Sequence, residues 1–142
     1  MNVAFQMDDL SKINFTTDST IALILESQSR DNKNYVYSPD DLFIKNNEVF
    51  TSACLVIFNN KDFSKYKCAK KKIINLSNMN FIFIRQDPPY NMAYITSLHI
   101  LELIDSNKTR IVNEPMGIRN SPEKVLIFNF PKLMPPTIVT RS

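Results

Sequence analysis

Apolar residues in this chain come in short blocks separated by polar loops, and the blocks alternate between two spacings. Residues 2–7 (NVAFQM) form a short run of β-forming side chains and read as a first strand. The polar stretch behind them ends in Asp18-Ser19-Thr20, a cluster of helix N-cap residues. In IALILESQSR, Ile21, Leu25 and Gln28 then recur on one helical face, with Ile24 beside them. Strand, loop and capped helix are the opening of a βα unit. Residues 34–37 (NYVY) read as a second strand, and Pro39-Asp40-Asp41 as a turn. Residues 42–44 and the stretch from Val49 to Phe58 read as a hairpin with Asn46-Asn47 at its tip.

Residues 59–80 are rich in Lys and Asn and are expected to form a short helix or an irregular connection. The unbroken apolar run at 81–84 (FIFI) reads as a strand covered on both faces, hence central in a parallel sheet. Pro88 and Pro89 end it. Helical spacing returns at Ile95, Leu98, Leu101 and Ile104. Residues 110–112 read as a further short strand, ended by Asn113 and Pro115. Ser121-Pro122 predicts a helix start, with Ser as N-cap and Pro in the first position. Residues 130–136 read as a loop and 137–140 as strand-like. Alternating strands and helices predict an α/β fold: a mainly parallel sheet flanked by helices, with an inserted β-hairpin and ligands at the carboxyl ends of strands.

Composition narrows the chemistry. A chain of 142 residues suits about one domain. Its net charge of +3 is too mild to argue for nucleic acid unless the charge is clustered. Glycine occurs once, at Gly117, where average usage would give about ten. No glycine-built phosphate cradle is therefore expected here. Two cysteines and one histidine exclude a four-cysteine zinc site and a histidine-rich one. Asp8 and Asp9 stand where a secretory signal would carry basic residues, and no apolar run approaches the roughly 18 residues of a membrane helix. The expected compartment is a reducing cytoplasm, with Cys54 and Cys68 as free thiols.

Three segments run from an apolar strand directly into polar residues: Met7-Asp8-Asp9, Ile84-Arg85-Gln86-Asp87 and Val112-Asn113-Glu114. In an open parallel sheet such ends share one edge. There the guanidinium of Arg85 suits a carboxylate or phosphate, and the helix start at Asp18 and Ser19 offers backbone N–H groups to an anion. The alternative for Arg85 is an internal ion pair with Asp87 or Asp9. His99, inside a helix and without a partner motif, reads as structural. The stretch KDFSKYKCAKKK (residues 61–72) reads either as a solvated face or as a nucleic-acid patch.

The segments VAFQMDDLSKINFTTDST, FIFIRQDPPYNMAYITSLHILE, TRIVNEPMGIRNSPEKVLIFNF and LMPPTIVTRS resemble the amino-terminal part of bacterial glutathione synthetase, an ATP-grasp ligase. The R-x-DPP motif at 85–89 and the N-x-P…R-x-x-x-EK motif at 113–124 are specific in combination. Residues 45–80 are the divergent part. The resemblance implies a Rossmann-like, pre-ATP-grasp substrate domain over residues 1–120, and the start of a linker into an ATP-grasp domain over residues 121–142. It also implies a cytoplasmic, oligomeric enzyme that joins γ-glutamylcysteine to glycine with ATP and Mg²⁺, acting on neither nucleic acid nor membrane. Arg85, Asp18, Ser19 and Asn113 would then bind substrate, and Lys124 the nucleotide phosphates.

Members of that family run to about twice this length. The glycine-rich loop and the acidic Mg²⁺ ligands belong to the other half, in keeping with the single glycine. No catalytic residue and no metal ligand is therefore assigned within residues 1–142, and the chain alone is expected to be inactive. The other readings are a degenerate, non-catalytic oligomerisation or interaction module and, behind it, a nucleic-acid binder using the lysine stretch.

Overall fold

A computed structural model of the chain describes residues 1–59 and 62–140, apart from the side chains of Phe63 and Glu123. The described residues form eight strands and four α-helices. They are β1 (Asn2–Gln6), α1 (Ser19–Ser29), β2 (Lys33–Tyr37), β3 (Leu42–Lys45), β4 (Glu48–Asn59), β5 (Asp62–Cys68), β6 (Lys72–Asn75), β7 (Phe81–Ile84), α2 (Met92–Leu101), β8 (Arg110–Val112), α3 (Pro115–Asn120) and α4 (Glu123–Leu126). The sheet runs β3-β4-β2-β1-β7-β8, and β5 and β6 also pair with β4.

The expected α/β architecture holds. Its parallel part is β2-β1-β7-β8, in the registers Phe5↔Val36, Phe5↔Phe83 and Phe83↔Val112. Alternation along each strand splits the core in two, because successive side chains leave a strand on opposite faces. Val3 and Phe5 of β1 meet Ile21 and Ile24 of α1. Ala4 meets Ile82 and Ile84 of β7 and Leu98 and Leu101 of α2. Helices thus cover both faces, as an apolar run such as FIFI requires. Here β7 lies between β1 and β8, one strand in from the sheet edge. Ile82 is fully buried, while Phe81 and Phe83 are half-buried on the α1 side, where Phe83 stacks on Phe5.

The antiparallel part is larger than a single inserted hairpin. The β3–β4 hairpin forms as read from the sequence, with Asn46 and Asn47 both at positive φ in its two-residue turn. Of residues 59–80, residues 60 and 61 lie outside the described residues; the described ones, however, are not a helix or an irregular link. They supply β5, β6 and a 3-10 turn at Leu76–Asn78. The reason is tertiary: β4 spans 12 residues, and its second edge is open to further strands. Pairing with that edge satisfies the backbone of segments whose own lysine-rich pattern carries no clear period.

Four further expectations change. Pro115 starts α3 instead of only ending a strand. Ser121 closes α3, and Pro122 takes the cap position of α4 without a side-chain bond. Residues 137–140 carry no strand, because no partner edge among the described residues reaches them. Cys54 and Cys68 are joined as a disulfide rather than free. Antiparallel pairing sets Cys68 opposite Val56, two residues from Cys54, and brings the two Cα atoms to 5.8 Å, within bridging range.

Candidate functional site

The strand order reverses direction between β1 and β7. The chain leaves β1 through α1 for β2 on one side, and leaves β7 through α2 for β8 on the other. Where neighbouring parallel strands send their connections apart, a crevice opens at their carboxyl ends. A cleft of about 460 Å³ lies there, lined by Asp8 after β1, Arg85 and Asp87 after β7, Lys12, and Thr17 to Thr20 at the start of α1.

Arg85 is the centre of this cleft. Its backbone N–H donates to the Gln6 carbonyl at 2.7 Å, so the sheet ladder fixes its Cα. Its Nε donates to Thr20 Oγ1 at 3.2 Å and its Nη2 to Ser19 Oγ at 2.7 Å. Among the described residues no carboxylate forms an ion pair with it, so the alternative of pairing with Asp87 or Asp9 is not what the fold adopts. A hydroxyl that accepts from a guanidinium keeps its own O–H to donate. Ser19 and Arg85 together therefore present a set of donors to the cleft.

Asp18 plays a different part. Its Oδ1 accepts from the backbone N–H of Thr20 at 2.6 Å and of Ile21 at 3.2 Å. Two of the N–H groups that the sequence reading offered to an anion are thus taken by the cap itself. The capping carboxylate fixes where α1 begins, and so where Ser19 and Thr20 meet the guanidinium. On the opposite wall, Asp87 N–H donates to Asp8 Oδ2 at 2.9 Å, tying the loop after β7 to the loop after β1.

Behind Arg85 lies a polar cluster that the sequence did not single out. Gln6, fully buried, donates from Nε2 to Gln86 Oε1 and to Ser97 Oγ, the latter at 3.4 Å, and its Oε1 is unpartnered. Burial raises the Tyr94 hydroxyl above its ordinary pKa, with Tyr90 beside it adding to the effect. One signal for the cluster was available: Gln6 is a polar residue at an inward strand position within NVAFQM. That Thr20 would accept from Arg85 was not readable, because the two are 65 residues apart.

The structure separates the remaining candidates. Asn113 follows β8 on the same sheet edge but lines a different groove, of about 600 Å³, with Glu102, Arg110, Glu114 and Met116. Lys124 lies exposed on α4 and does not line the Arg85 cleft. His99 is exposed and sits 2.8 Å from Arg119 Nη1, which also donates to Glu102 at 3.2 Å. The contact joins α2 to α3, in keeping with a structural histidine. Among the described residues no group of three or more His, Cys, Asp or Glu side chains converges to hold a metal ion.

Comparison with known proteins comes down on one family. The family described as "Prokaryotic glutathione synthetase, N-terminal domain" matches residues 1–119. The chain is 41% identical to the glutathione synthetase of Bradyrhizobium diazoefficiens over 142 residues, which is all of this chain and 45% of that protein. It is 40% identical to that of Agrobacterium fabrum over 99% of this chain and 44% of the relative. To that of Buchnera aphidicola subsp. Baizongia pistaciae it is 34% identical, over all of this chain and 44% of the relative. The chain spans about 45% of the length of the curated relatives it matches.

Proposed function

This chain belongs to the prokaryotic glutathione synthetase family through its N-terminal domain, and on that premise we propose that it forms the substrate-holding half of an enzyme that joins γ-glutamylcysteine to glycine with ATP. The observation that carries the reading is Arg85: a guanidinium without a carboxylate partner among the described residues, held by Ser19 and Thr20 at a strand-switch crevice. The cleft also carries both signs of charge, with Lys12 and Arg85 against Asp8, Asp18 and Asp87. That mixture suits a zwitterion such as γ-glutamylcysteine, which has an ammonium group as well as carboxylates. In this reading Arg85 and Ser19 take a substrate carboxylate, Asp18 positions Ser19, and Asn113 approaches from the neighbouring strand end.

The family implies ATP and Mg²⁺. The residues described here do not fit them, since no metal-ligating group converges and the one glycine, Gly117, lies within α3. No step involving them is assigned to residues of this chain, beyond a contact of Lys124 with nucleotide phosphates once the rest of the enzyme is in place. Residues 1–120 act as the substrate domain and residues 121–142 as the start of the link onward. We place the protein in the cytoplasm; no described helix is long and apolar enough to cross a membrane. We assign it no nucleic-acid or membrane partner. In the lysine stretch, Lys65 and Lys71 pair with Asp62 and Asp41, and Lys72 sits over the Tyr35 ring, which supports a solvated face. Exposed Val125, Phe128, Phe130 and Leu133 support self-association of the isolated chain, readable by light scattering.

Titration with γ-glutamylcysteine, followed by NMR, tests the site. Saturable shifts are expected at Ser19, Arg85 and their neighbours, with an affinity no better than roughly millimolar, about −4 kcal/mol, because the cleft is open to solvent. Arg85→Ala should abolish the shifts and lower stability by about 1 kcal/mol, the scale of one lost hydrogen bond. Shifts that persist in Arg85→Ala, or none in the parent, reject the assignment. The purified chain should form no glutathione from ATP, γ-glutamylcysteine and glycine; turnover would place catalytic groups within it.

A further inference from the structure

The two cysteines lie outside the cleft, on β4 and β5, where Cys54 pairs with Val36 of β2 at the junction of the antiparallel and parallel parts of the sheet, and they differ sharply from each other. Cys54 is on β4, 1% exposed and packed with Val36, Val56 and Phe58. Cys68 is the last residue of β5 and is exposed. The pair therefore joins one buried residue to one exposed residue. The sequence on either side of the outer cysteine is rich in lysine. Lys67 precedes it, and Lys70, Lys71 and Lys72 follow within four residues. Lys71 pairs with Asp41 and Lys72 lies over the Tyr35 ring, while Lys67 and Lys70 form no ion pair among the described residues.

From these observations we propose that Cys54 and Cys68 form a reversible thiol–disulfide exchange site, entered through Cys68, for an anionic low-molecular-weight disulfide. Glutathione disulfide is the candidate, with several carboxylates and a net negative charge at neutral pH. Naming glutathione rests on the functional reading above; the pairing and the entry through Cys68 do not. A disulfide in a cytoplasmic protein is ordinarily transient, in contrast with the persistent bridges of secreted domains.

The chemistry balances with that one co-reactant. The Cys68 thiolate attacks one sulfur of glutathione disulfide, a protein–glutathione mixed disulfide forms, and one glutathione leaves as a thiolate that takes a proton. The Cys54 thiol then gives up its proton and attacks the Cys68 sulfur. The Cys54–Cys68 bond forms and the second glutathione departs. Two protein thiols are oxidised to one disulfide, and one glutathione disulfide is reduced to two glutathiones. Excess reduced glutathione drives the same steps backwards. Lysine charge around Cys68 concentrates an anionic disulfide at the attacking sulfur, an effect of about tenfold or more on rate at low salt.

The test uses the reduced 142-residue chain, treated with glutathione disulfide, quenched with acid, alkylated and weighed at intervals. A single adduct on Cys68 should appear first and give way to the internal disulfide. Cystamine, a cationic disulfide, should react about tenfold more slowly, and raising the salt should erase the difference. Lys67→Glu with Lys70→Glu should slow glutathione disulfide by a similar factor and leave both cysteines in place. Cys54→Ser, checked for folding by circular dichroism, should stop at the Cys68 adduct. An adduct on Cys54, equal rates for the two disulfides, or a bond that millimolar reduced glutathione leaves closed would each overturn the proposal. These readouts do not involve Arg85, so they stand or fall apart from the γ-glutamylcysteine titration.

Discussion

The two parts of the sheet use the same element in opposite ways. In β2-β1-β7-β8 the strands are parallel, short and covered on both faces, and their polar residues gather at one edge. In β3 to β6 the strands are antiparallel around the long β4, and one side remains open to solvent: Ile57 and Ile73 are 53% and 66% exposed, beside the lysines. The parallel part must connect its strands through helices, and that requirement produces the crevice where Arg85 meets α1. The antiparallel part joins β3 to β4 through the two-residue Asn46-Asn47 turn, with no helix between them. It instead brings sequence-near residues together, and so sets Cys54 against Cys68. Position within the topology, more than residue type, decides which polar groups converge on a cleft.

The largest effect should come from placing a charge in each part. Ile82→Asp buries a carboxylate between β1, β8 and α2 with no partner, and should cost about 3–5 kcal/mol or prevent folding. Ile57→Asp, on the open face of β4, should stay within about 0.5 kcal/mol. Thermal melts of the two variants measure the contrast directly. Equal losses would mean that the antiparallel face is covered as fully as the parallel one.

Opening the Cys54–Cys68 bond comes next. It closes a loop with a sequence separation of 14, for which chain entropy gives about 3 kcal/mol. Denaturant unfolding with and without reductant should show a loss of about 2–3 kcal/mol. Amide exchange should place the local loosening in β4 and β5 and leave β1 and β7 protected. Loosening spread evenly over both parts would make the sheet one cooperative unit.

The smallest effect lies in the loop after β1, where Asp9 caps the 3-10 turn at Leu10–Lys12. The Asp9 carboxyl is held below its ordinary pKa, first by the Ser11 hydroxyl and then by the Ser11 backbone N–H, at 2.7 and 2.8 Å. Because the folded state favours the ionised form, this contribution is fully present above about pH 4 and disappears as pH falls through the lowered value. Asp9→Asn should remove that acid-side component of the stability profile and change little at neutral pH. An unchanged profile below pH 4 would show that the cap is not formed in solution.

Local signals determined the elements whose cause is local. The Asp18 cap, the Asn46-Asn47 turn, the helical face from Ile21 and the apolar run at Phe81–Ile84 were legible because each depends on residues within a few positions of one another. The motifs around Arg85 and Asn113 are likewise legible in the sequence alone. Tertiary structure alone decided the rest. Residues 62–68 and 72–75 became strands because β4 offered an edge. Cys54 and Cys68 met because antiparallel pairing set them diagonally across two strands. Arg85 turned to Ser19 and Thr20 rather than to a nearby aspartate because β7 ends beside the start of α1. In each case the partner lies beyond the reach of a local pattern, and chain connectivity through the sheet, not side-chain preference, fixes which groups come within hydrogen-bonding distance.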